Sequence, residues 1–156
     1  MNEITIRQTS DIEELMQWRI EVLHCVFDIP ADADTSSLAR ENRKYYLQHL
    51  SDGTHVCCIA SLGGLQAGCG GVCYHDEMPS PDNPDGHCAY LMNIYVRPEF
   101  RNRGVARNIV RWLVGDALGR GIRKIYLESS ESAYPVYKSL GFNDMQNLMI
   151  YSPKES

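Results

Sequence analysis

Apolar and polar residues alternate at the start of the chain and then recur at helical spacing. Residues 4–7 have the two-residue period of a short strand. Residues 10–13 have the Ser-x-x-Glu form of a helix capping box, and apolar residues follow at helical intervals as far as Phe27. The pattern predicts a strand and then a helix, which Pro30 and the polar run after it bring to an end.

The middle of the chain is richer in strand patterns. A more polar helix is predicted over residues 37–50, followed by β-rich runs at residues 54–62 and 65–75. Only Gly63 and Gly64 separate these runs, which is the spacing of a hairpin turn and predicts two antiparallel strands. Residues 88–96 are almost continuously apolar, as expected of an inner strand covered on both faces.

The last third of the sequence alternates between helix and strand. Helical periodicity begins after Gly104 and stops at Gly119, and residues 122–128 form the next strand-like run. A short helix is predicted over residues 132–140, with Pro135 in its first turn, and a last strand over residues 145–151. The sequence thus predicts six strands and four helices in a single domain over residues 1–156.

Residues 76–86 interrupt this order with three prolines and four acidic residues, which predicts a loop. Its length favours a lid or a substrate-binding loop, but an ordinary solvated turn explains the composition equally well.

Composition limits the classes of function. The 156 residues are 44% hydrophobic and 22% charged, with a formal net charge of -5. This net charge argues against general binding to nucleic acid or to an anionic membrane, so any anion site must be local. The first residues lack the pattern of a signal peptide and no apolar run is long enough to span a bilayer, so we expect a cytoplasmic protein. No pair of the six cysteines has the two-residue spacing of a zinc knuckle, and we expect buried thiols and no metal site.

The junction after the apolar strand carries the most informative chemistry. Arg101 and Arg103 directly precede the point where the helix after Gly104 begins. The first amides of a helix have no intrahelical partner, and glycine lets a ligand approach them closely, so an anion is expected to bind there. A pyrophosphate suits several amides and a cation better than a single carboxylate does. The alternative is a solvated basic helix face, which is the simpler explanation for Arg107 and Arg111.

Two segments carry a family resemblance. Neither a nucleoside-triphosphate P-loop nor a Gly-x-Gly-x-x-Gly motif is present. Instead, Arg101-Asn-Arg-Gly-Val-Ala106 fits Arg/Gln-x-x-Gly-x-Gly/Ala and resembles the acetyl-CoA loop of the GCN5-related N-acetyltransferase (GNAT) family. Tyr137-Lys-Ser-Leu-Gly-Phe142 resembles the Tyr-x-x-x-Gly-Phe segment of that family. The resemblance implies an α/β (α+β) fold with a mixed, mostly antiparallel central sheet of about six to seven strands and about four helices.

It also implies a site for acetyl-CoA as cosubstrate. In the family, the strand matching residues 88–96 splays from the next strand, and pantetheine pairs with its backbone. Strand backbone would thus hold the acetyl and pantetheine groups, and the amides of the loop would hold the pyrophosphate. The cofactor-binding residues implied are Ile94, Tyr95, Val96, Arg101, Asn102, Arg103, Gly104, Val105 and Ala106.

Tyr137 matches the tyrosine that the family uses to protonate the leaving thiolate. A phenol with a pKa near 10 is a weaker acid than a thiol near 8.5, so we expect Tyr137 to donate a hydrogen bond first and to transfer its proton only if the helix end lowers its pKa. A buried aromatic packed beside Phe142 is the alternative. The base that deprotonates the amine is left open among five residues: Glu128, Glu131, His75, Asp76 and Glu77.

One position departs from the family pattern, and the acceptor stays open. Glu131 stands where many relatives have an asparagine, so Ser129, Ser130 or Ser132 would have to supply that contact. Acidic residues in the first helix and the 76–86 loop favour a cationic acceptor, either a small-molecule or a peptide amine, with Asn93 and Tyr95 facing it. The acidic residues concerned are Glu13, Glu14, Asp76, Glu77, Asp82 and Asp85.

Two other functions and two oligomeric states remain open. A non-catalytic acetyl-CoA sensor fits the same motifs, and a cysteine-rich metal or redox protein is a third hypothesis. A homodimer formed through the C-terminal strand and a monomer are both compatible with the sequence.

Overall fold

The computed structural model describes residues 3–154, which form five strands and four helices. A single 3-10 turn, Pro98–Phe100, precedes the third helix. In chain order the elements are β1 (Ile4–Thr9), α1 (Ile12–Val26), α2 (Ser36–Ser51), β2 (His55–Leu62), β3 (Leu65–Asp76), β4 (His87–Val96), α3 (Val105–Gly119), β5 (Lys124–Leu127) and α4 (Tyr134–Ser139).

The strands form one sheet in the order β1-β2-β3-β4-β5. All neighbouring pairs are antiparallel except β4 and β5, which are parallel and are connected through α3. The predicted hairpin of β2 and β3, the inner position of β4 and the mixed, mostly antiparallel sheet with four helices are therefore confirmed. The predicted count of six to seven strands is wrong, because residues 3–154 contain five.

The missing strand is the one predicted over residues 145–151. This segment has no strand structure, and Met149 and Ile150 are 98% and 91% exposed. Asn147 adopts a left-handed conformation (φ 68°) in the middle of the segment, which interrupts an extended backbone. Residues with a high strand propensity form a strand only when they pair with a neighbouring strand, and the apolar residues of this segment have no such neighbour in the part of the chain that the structure describes.

The helix ends are close to those predicted, with one correction. The capping residue of α1 is Asp11 and not Ser10, since the Asp11 carboxylate accepts the Glu14 N–H at 3.2 Å. Glu13 does not close a capping box but pairs with Arg43 of α2. Pro135 lies in the first turn of α4, as predicted.

Helices cover both faces of the sheet. On one face α3 packs onto the largest apolar cluster, whose fully buried members include Val72, Leu91 and Ile109. α3 approaches the sheet closely over Gly70, where a Cβ would lie 2.5 Å from the Ile109 side chain. α1 and α2 cover the other face.

A β-bulge in β4 changes which residues point to each face. Met92 pairs with Gly71 and Tyr95 with Cys69, so two residues of β4 oppose Gly70 alone. The bulge residue Asn93 has a positive φ of 58°. Beyond the bulge, Ile94 packs towards α3, whereas Tyr95 packs against α1.

Candidate functional site

β4 and β5 separate halfway along β4. Their pairing runs from Cys88 with Lys124 to Leu91 with Leu127, where β5 ends. β4 continues to Val96, and within residues 3–154 no strand pairs with residues 92–96 on that side. Since the N–H of Arg97 donates to Ala67 on the β3 side, the backbone groups of Val96 point the opposite way, into the gap.

The start of α3 lies directly beyond this gap. Gly104 is the N-cap and is left-handed (φ 86°), and the first helical bond runs from the Asn108 N–H to the Gly104 carbonyl at 3.1 Å. The N–H groups of Val105, Ala106 and Arg107 therefore precede the first helical hydrogen bond and point outward along the axis. These donors and the positive end of the helix dipole favour an anion.

The loop before α3 is exposed and basic. Arg101, Asn102, Arg103 and Gly104 are all exposed, and Asn102 is also left-handed (φ 63°). The Arg101 Nε–H donates to the Val96 carbonyl at 2.9 Å, which ties the loop to the end of β4. The structure thus brings the predicted strand and loop residues together around one opening.

The side chains of the three strand residues predicted to bind the cofactor pack in the hydrophobic core. Ile94 and Val96 pack towards α3, and Tyr95 is buried edge-to-face against Trp18 with ring centroids 6.4 Å apart. Tyr95 therefore does not present its ring to a cavity, in contrast to the expectation that it faces the acceptor. Only the backbone of these residues borders the gap.

Tyr137 lies on α4 beside the start of α3. The Nη2–H of the Arg107 guanidinium donates to the Ser139 hydroxyl at 2.7 Å and links the two helices. The Tyr137 ring packs edge-to-face on Phe142, with centroids 5.9 Å apart, so the contact expected of a packing aromatic is present. Burial raises the pKa of Tyr137, so the helix end does not lower it, and the hydroxyl is a hydrogen-bond donor at neutral pH.

Two of the five candidate bases already have hydrogen-bonded side-chain partners. Glu77 pairs with Lys124 at 2.8 Å, and hydrogen bonding to Lys124 lowers the pKa of the Glu77 carboxyl. Asp76 lies 2.7 Å from His87. Both belong to the 76–86 segment, which folds back on itself through a bond from the Glu77 N–H to the Gly86 carbonyl. The segment is a structured turn at the end of β4 remote from Val96.

Of the other three, Glu128 occupies the most informative position. His75 is engaged with the Tyr126 hydroxyl at 2.8 Å, and Glu131 is an exposed loop residue. Glu128 follows β5 directly, at the point where β4 and β5 part. Burial and, after it, the nearby charge of Glu128 raise the pKa of Tyr90 on β4, so the carboxylate lies near the α1 face of the gap.

Two depressions border the gap. A groove of about 840 Å³ runs along β5 and α4 and includes Tyr137 and Glu128 in its wall. A smaller cavity of about 240 Å³ lies between α1, α2, β2 and β4. Its lining consists of Arg19, Glu41, Asn42, Tyr45, Tyr46, His55, Met92 and Asn93.

Of the residues that line this smaller cavity, only Asn93 was expected to face the acceptor. Arg19 was missed, and the signal for it would have been a basic residue that directly follows the buried Trp18 on α1. None of the acidic side chains predicted around the acceptor lines this cavity. Glu13 and Glu14 pair with Arg43 and Arg7, whereas Asp82 lies in the lining of the larger groove.

Comparison with known proteins agrees with this architecture. The model of the acetyltransferase (GNAT) family matches residues 14–142, which is well over half of the chain. The protein therefore belongs to the GNAT family.

Individual relatives are more distant. A [ribosomal protein bS18]-alanine N-acetyltransferase of Salmonella typhimurium is 37% identical over 68 residues, covering 42% of this chain and 46% of the relative. A thialysine N-epsilon-acetyltransferase of Sus scrofa is 29% identical over 89 residues, covering 44% and 52%. The chain thus matches about half the length of these curated relatives.

A solved structure matches almost completely. The crystal structure of a predicted acetyltransferase with acetyl-CoA from Clostridium acetobutylicum superposes with a TM-score of 0.83 at 27% identity, covering 96% of both chains. None of the helices within residues 3–154 is both long and apolar enough to cross a bilayer.

Proposed function

We propose that the protein transfers the acetyl group of acetyl-CoA directly to a primary amine of a small molecule or peptide. The observation that carries the proposal is the junction of β4 and α3, where an unpaired strand edge leads into the free amides of a helix capped by left-handed Gly104. An extended chain ending in a pyrophosphate matches both halves of this surface.

Successive parts of acetyl-CoA would contact successive segments of this chain, from β4 to the loop before α3. The backbone of Ile94 and Val96 would align the pantetheine arm, and the amides from Asn102 to Ala106 would bind the pyrophosphate, with Arg101 and Arg103 beside it. The Arg101 Nε–H bond to the Val96 carbonyl would have to be exchanged for a pantetheine amide if that carbonyl is used. The thioester supplies an activated acyl group and a thiolate leaving group.

Tyr137 and Glu128 are assigned to the two proton steps. An amine with a pKa of about 10.4 attacks only after it loses a proton, which Glu128 at the parting of β4 and β5 would accept directly or through water. Tyr137 would donate a hydrogen bond to the sulfur as negative charge develops on it. Its raised pKa suits a donor that keeps its own proton until late in the reaction.

The test is thiol release from acetyl-CoA over a panel of primary amines, combined with thermal unfolding. Saturating acetyl-CoA should raise the melting temperature, and at least one amine should release free thiol in proportion to acetylated product. A rise in melting temperature without thiol release for any amine would favour the acetyl-CoA sensor instead. No rise at all would remove the cofactor assignment.

A further inference from the structure

The smaller cavity contains one basic and one acidic side chain. Arg19 of α1 is half-buried in its wall, and Glu41 of α2 is exposed at its rim. The other lining residues carry no charge at neutral pH; burial lowers the pKa of His55 to about 4, so this ring is neutral as well. The cavity therefore presents one positive and one negative site to a ligand.

Neutral amide oxygens hold Arg19 in place. Its Nε–H donates to Asn42 Oδ1 at 2.9 Å, and its Nη1–H donates to Asn93 Oδ1 at 2.8 Å. The guanidinium also lies 5.6 Å from the centre of the Phe27 ring. A guanidinium has five N–H donors in a planar fork, so these two bonds fix its orientation and leave further donors for a ligand.

The charge of Arg19 is not compensated by a neighbour. Throughout residues 3–154, no carboxylate oxygen lies within 4.0 Å of this guanidinium. By contrast, Arg7, Arg43, Arg97 and Arg120 each pair with a carboxylate. A positioned, uncompensated guanidinium in a cavity is a binding site for a carboxylate, which it can hold with two parallel hydrogen bonds.

The position of Arg19 connects this site to the proposed chemistry. Its partner Asn93 is the bulge residue of β4, immediately after the point where β4 and β5 separate. A ligand bound to Arg19 therefore lies beside the strand edge that the thioester is proposed to follow. The volume of about 240 Å³ lies below the roughly 300 Å³ at which pockets for drug-sized ligands begin, so it suits a molecule of amino-acid size.

We propose that Arg19 binds a carboxylate of the acetyl acceptor, and that the acceptor is a small zwitterion, an amine that also carries a carboxylate. The inference rests on the proposed acetyl transfer and narrows its acceptor from cationic amines in general to amino-acid-like molecules. Arg19 holds the carboxylate, Glu41 gives the rim a complementary negative charge, and the attacking amino group points to the gap beside Met92 and Asn93.

The experiment compares acceptors that differ only in the carboxylate: lysine with cadaverine and with lysinamide, ornithine with putrescine, and β-alanine with ethylamine. Wild-type protein should prefer the carboxylated member of at least one pair by about tenfold or more in kcat/KM. Arg19→Gln should raise KM for that acceptor about tenfold to hundredfold, the range for a hydrogen-bonded charged group, and change kcat/KM for the partner that lacks the carboxylate less than about threefold.

Two further variants separate recognition from structure. Arg43→Gln removes a guanidinium of α2 that faces outward and pairs with Glu13, and it should leave the preference intact. Arg19→Lys keeps the charge and should restore part of the preference. If Arg19 only braces α1 against α2 and β4, Arg19→Gln lowers the melting temperature and weakens both members of each pair alike, which overturns the proposal.

Failure of acetyl transfer is distinguishable from failure of this inference. If acetyl-CoA binds but no amine of the panel releases thiol, the proposed transfer is contradicted for these acceptors. Calorimetric binding of lysine, ornithine and β-alanine to the CoA-saturated protein then decides the role of Arg19. Weaker binding to Arg19→Gln than to wild type supports the carboxylate site, and equal or absent binding overturns it.

Discussion

An Nη2 atom of Arg97 lies 3.0 Å from Oε1 of Glu21 and joins the residue after β4 to helix α1. The Arg97 guanidinium also lies 4.2 Å from the centre of the Trp18 ring. The hydrogen bond from Arg97 is the main reason why the pKa of Glu21 is lowered, so the pair is intact above the ordinary carboxyl pKa and is lost as the pH falls through the lowered value. This pair fixes the edge of β4 that precedes the basic loop.

Replacing Glu21 by Gln should lower the free energy of unfolding by roughly 1 kcal/mol at pH 7, since both partners are partly exposed and solvent screens them. Urea unfolding measures the change. Glu13→Gln, which removes the partner of Arg43 on the surface, is the control and should leave the urea midpoint unchanged. A midpoint shift of equal size in both variants would contradict the prediction, because the ion pair beside β4 would then stabilise the protein no more than the surface pair does.

Gly104→Val should abolish or strongly weaken acetyl-CoA binding. Valine is strained at φ 86° by about 1–2 kcal/mol, and its branched side chain would occupy space beside the start of α3 that glycine leaves open. Gly53→Val is the matched control because Gly53 is also left-handed (φ 78°), has open space around its Cβ position and lies far along the chain from the loop. Both variants should lose stability, but only the change at Gly104 should reduce the thermal shift caused by acetyl-CoA.

Tyr137→Phe should lower kcat by about a hundredfold with little change in acetyl-CoA affinity, which is the scale expected for one donor to a developing anion. The ring and its contact with Phe142 are kept, so the fold should be unaffected. Tyr134→Phe on the same helix removes a hydroxyl bonded to Asp144 and should leave kcat unchanged. Steady-state kinetics of both variants would exclude Tyr137 from the mechanism if turnover were the same.

Glu128→Gln should reduce kcat/KM for the amine by about a hundredfold or more, since general-base catalysis contributes at this scale. The loss should shrink at high pH, where more of the amine is already deprotonated. Glu131→Gln, three residues further along the exposed loop, is the comparison and should behave like wild type. If instead Glu131→Gln shows the larger loss, the base lies in that loop and not at the end of β5.

His55 should make the protein sensitive to acid. The ordinary pKa of 6.5 is lowered to about 4, chiefly by burial, so the unfolded chain binds a proton at pH values where the folded protein does not. The free energy of unfolding therefore falls as the pH falls from about 6.5 to 4, by up to about 3 kcal/mol. Urea midpoints measured between pH 7 and 4.5 should decline less steeply for His55→Gln than for wild type.

The surface residue His87 provides the contrast. Its pKa is raised, chiefly by its hydrogen bond to Asp76, so protonation of His87 does not destabilise the folded protein. His87→Gln should therefore keep the steep decline of the urea midpoint seen for wild type. Equal slopes for wild type and His55→Gln would contradict the assignment to His55.

The elements that sequence predicts best here are those whose pattern is local. The period of α3, the Gly63-Gly64 turn and the late start of α4 at Pro135 depend on neighbouring residues, and the structure agrees with them. The strand predicted over residues 145–151 fails because strand formation depends on a partner that local pattern does not contain. The cap of α1 at Asp11 instead of Ser10 is an ambiguity of one residue between two good capping side chains.

For the site, sequence identifies the parts but not their surroundings. Gly104 and the arginines before α3 are recognisable because an anion site at a helix start is a contiguous feature. The cavity around Arg19 combines residues of α1, α2, β2 and β4 that are far apart in the chain, and only folding brings them together. The ion pairs of Glu13, Glu14 and Glu77 likewise could not be predicted from the sequence, and they neutralise three of the six acidic residues predicted around the acceptor.

The bulge at Asn93 allows one strand to serve two compartments. Before it, Met92 points to the cavity under α1 and α2; after it, Ile94 points to the apolar layer under α3. If β4 alternated strictly through this point, Asn93 and every following side chain of the strand would turn to the opposite face. The extra residue therefore sets which side chains of β4 reach each compartment, even though most of them never touch a ligand.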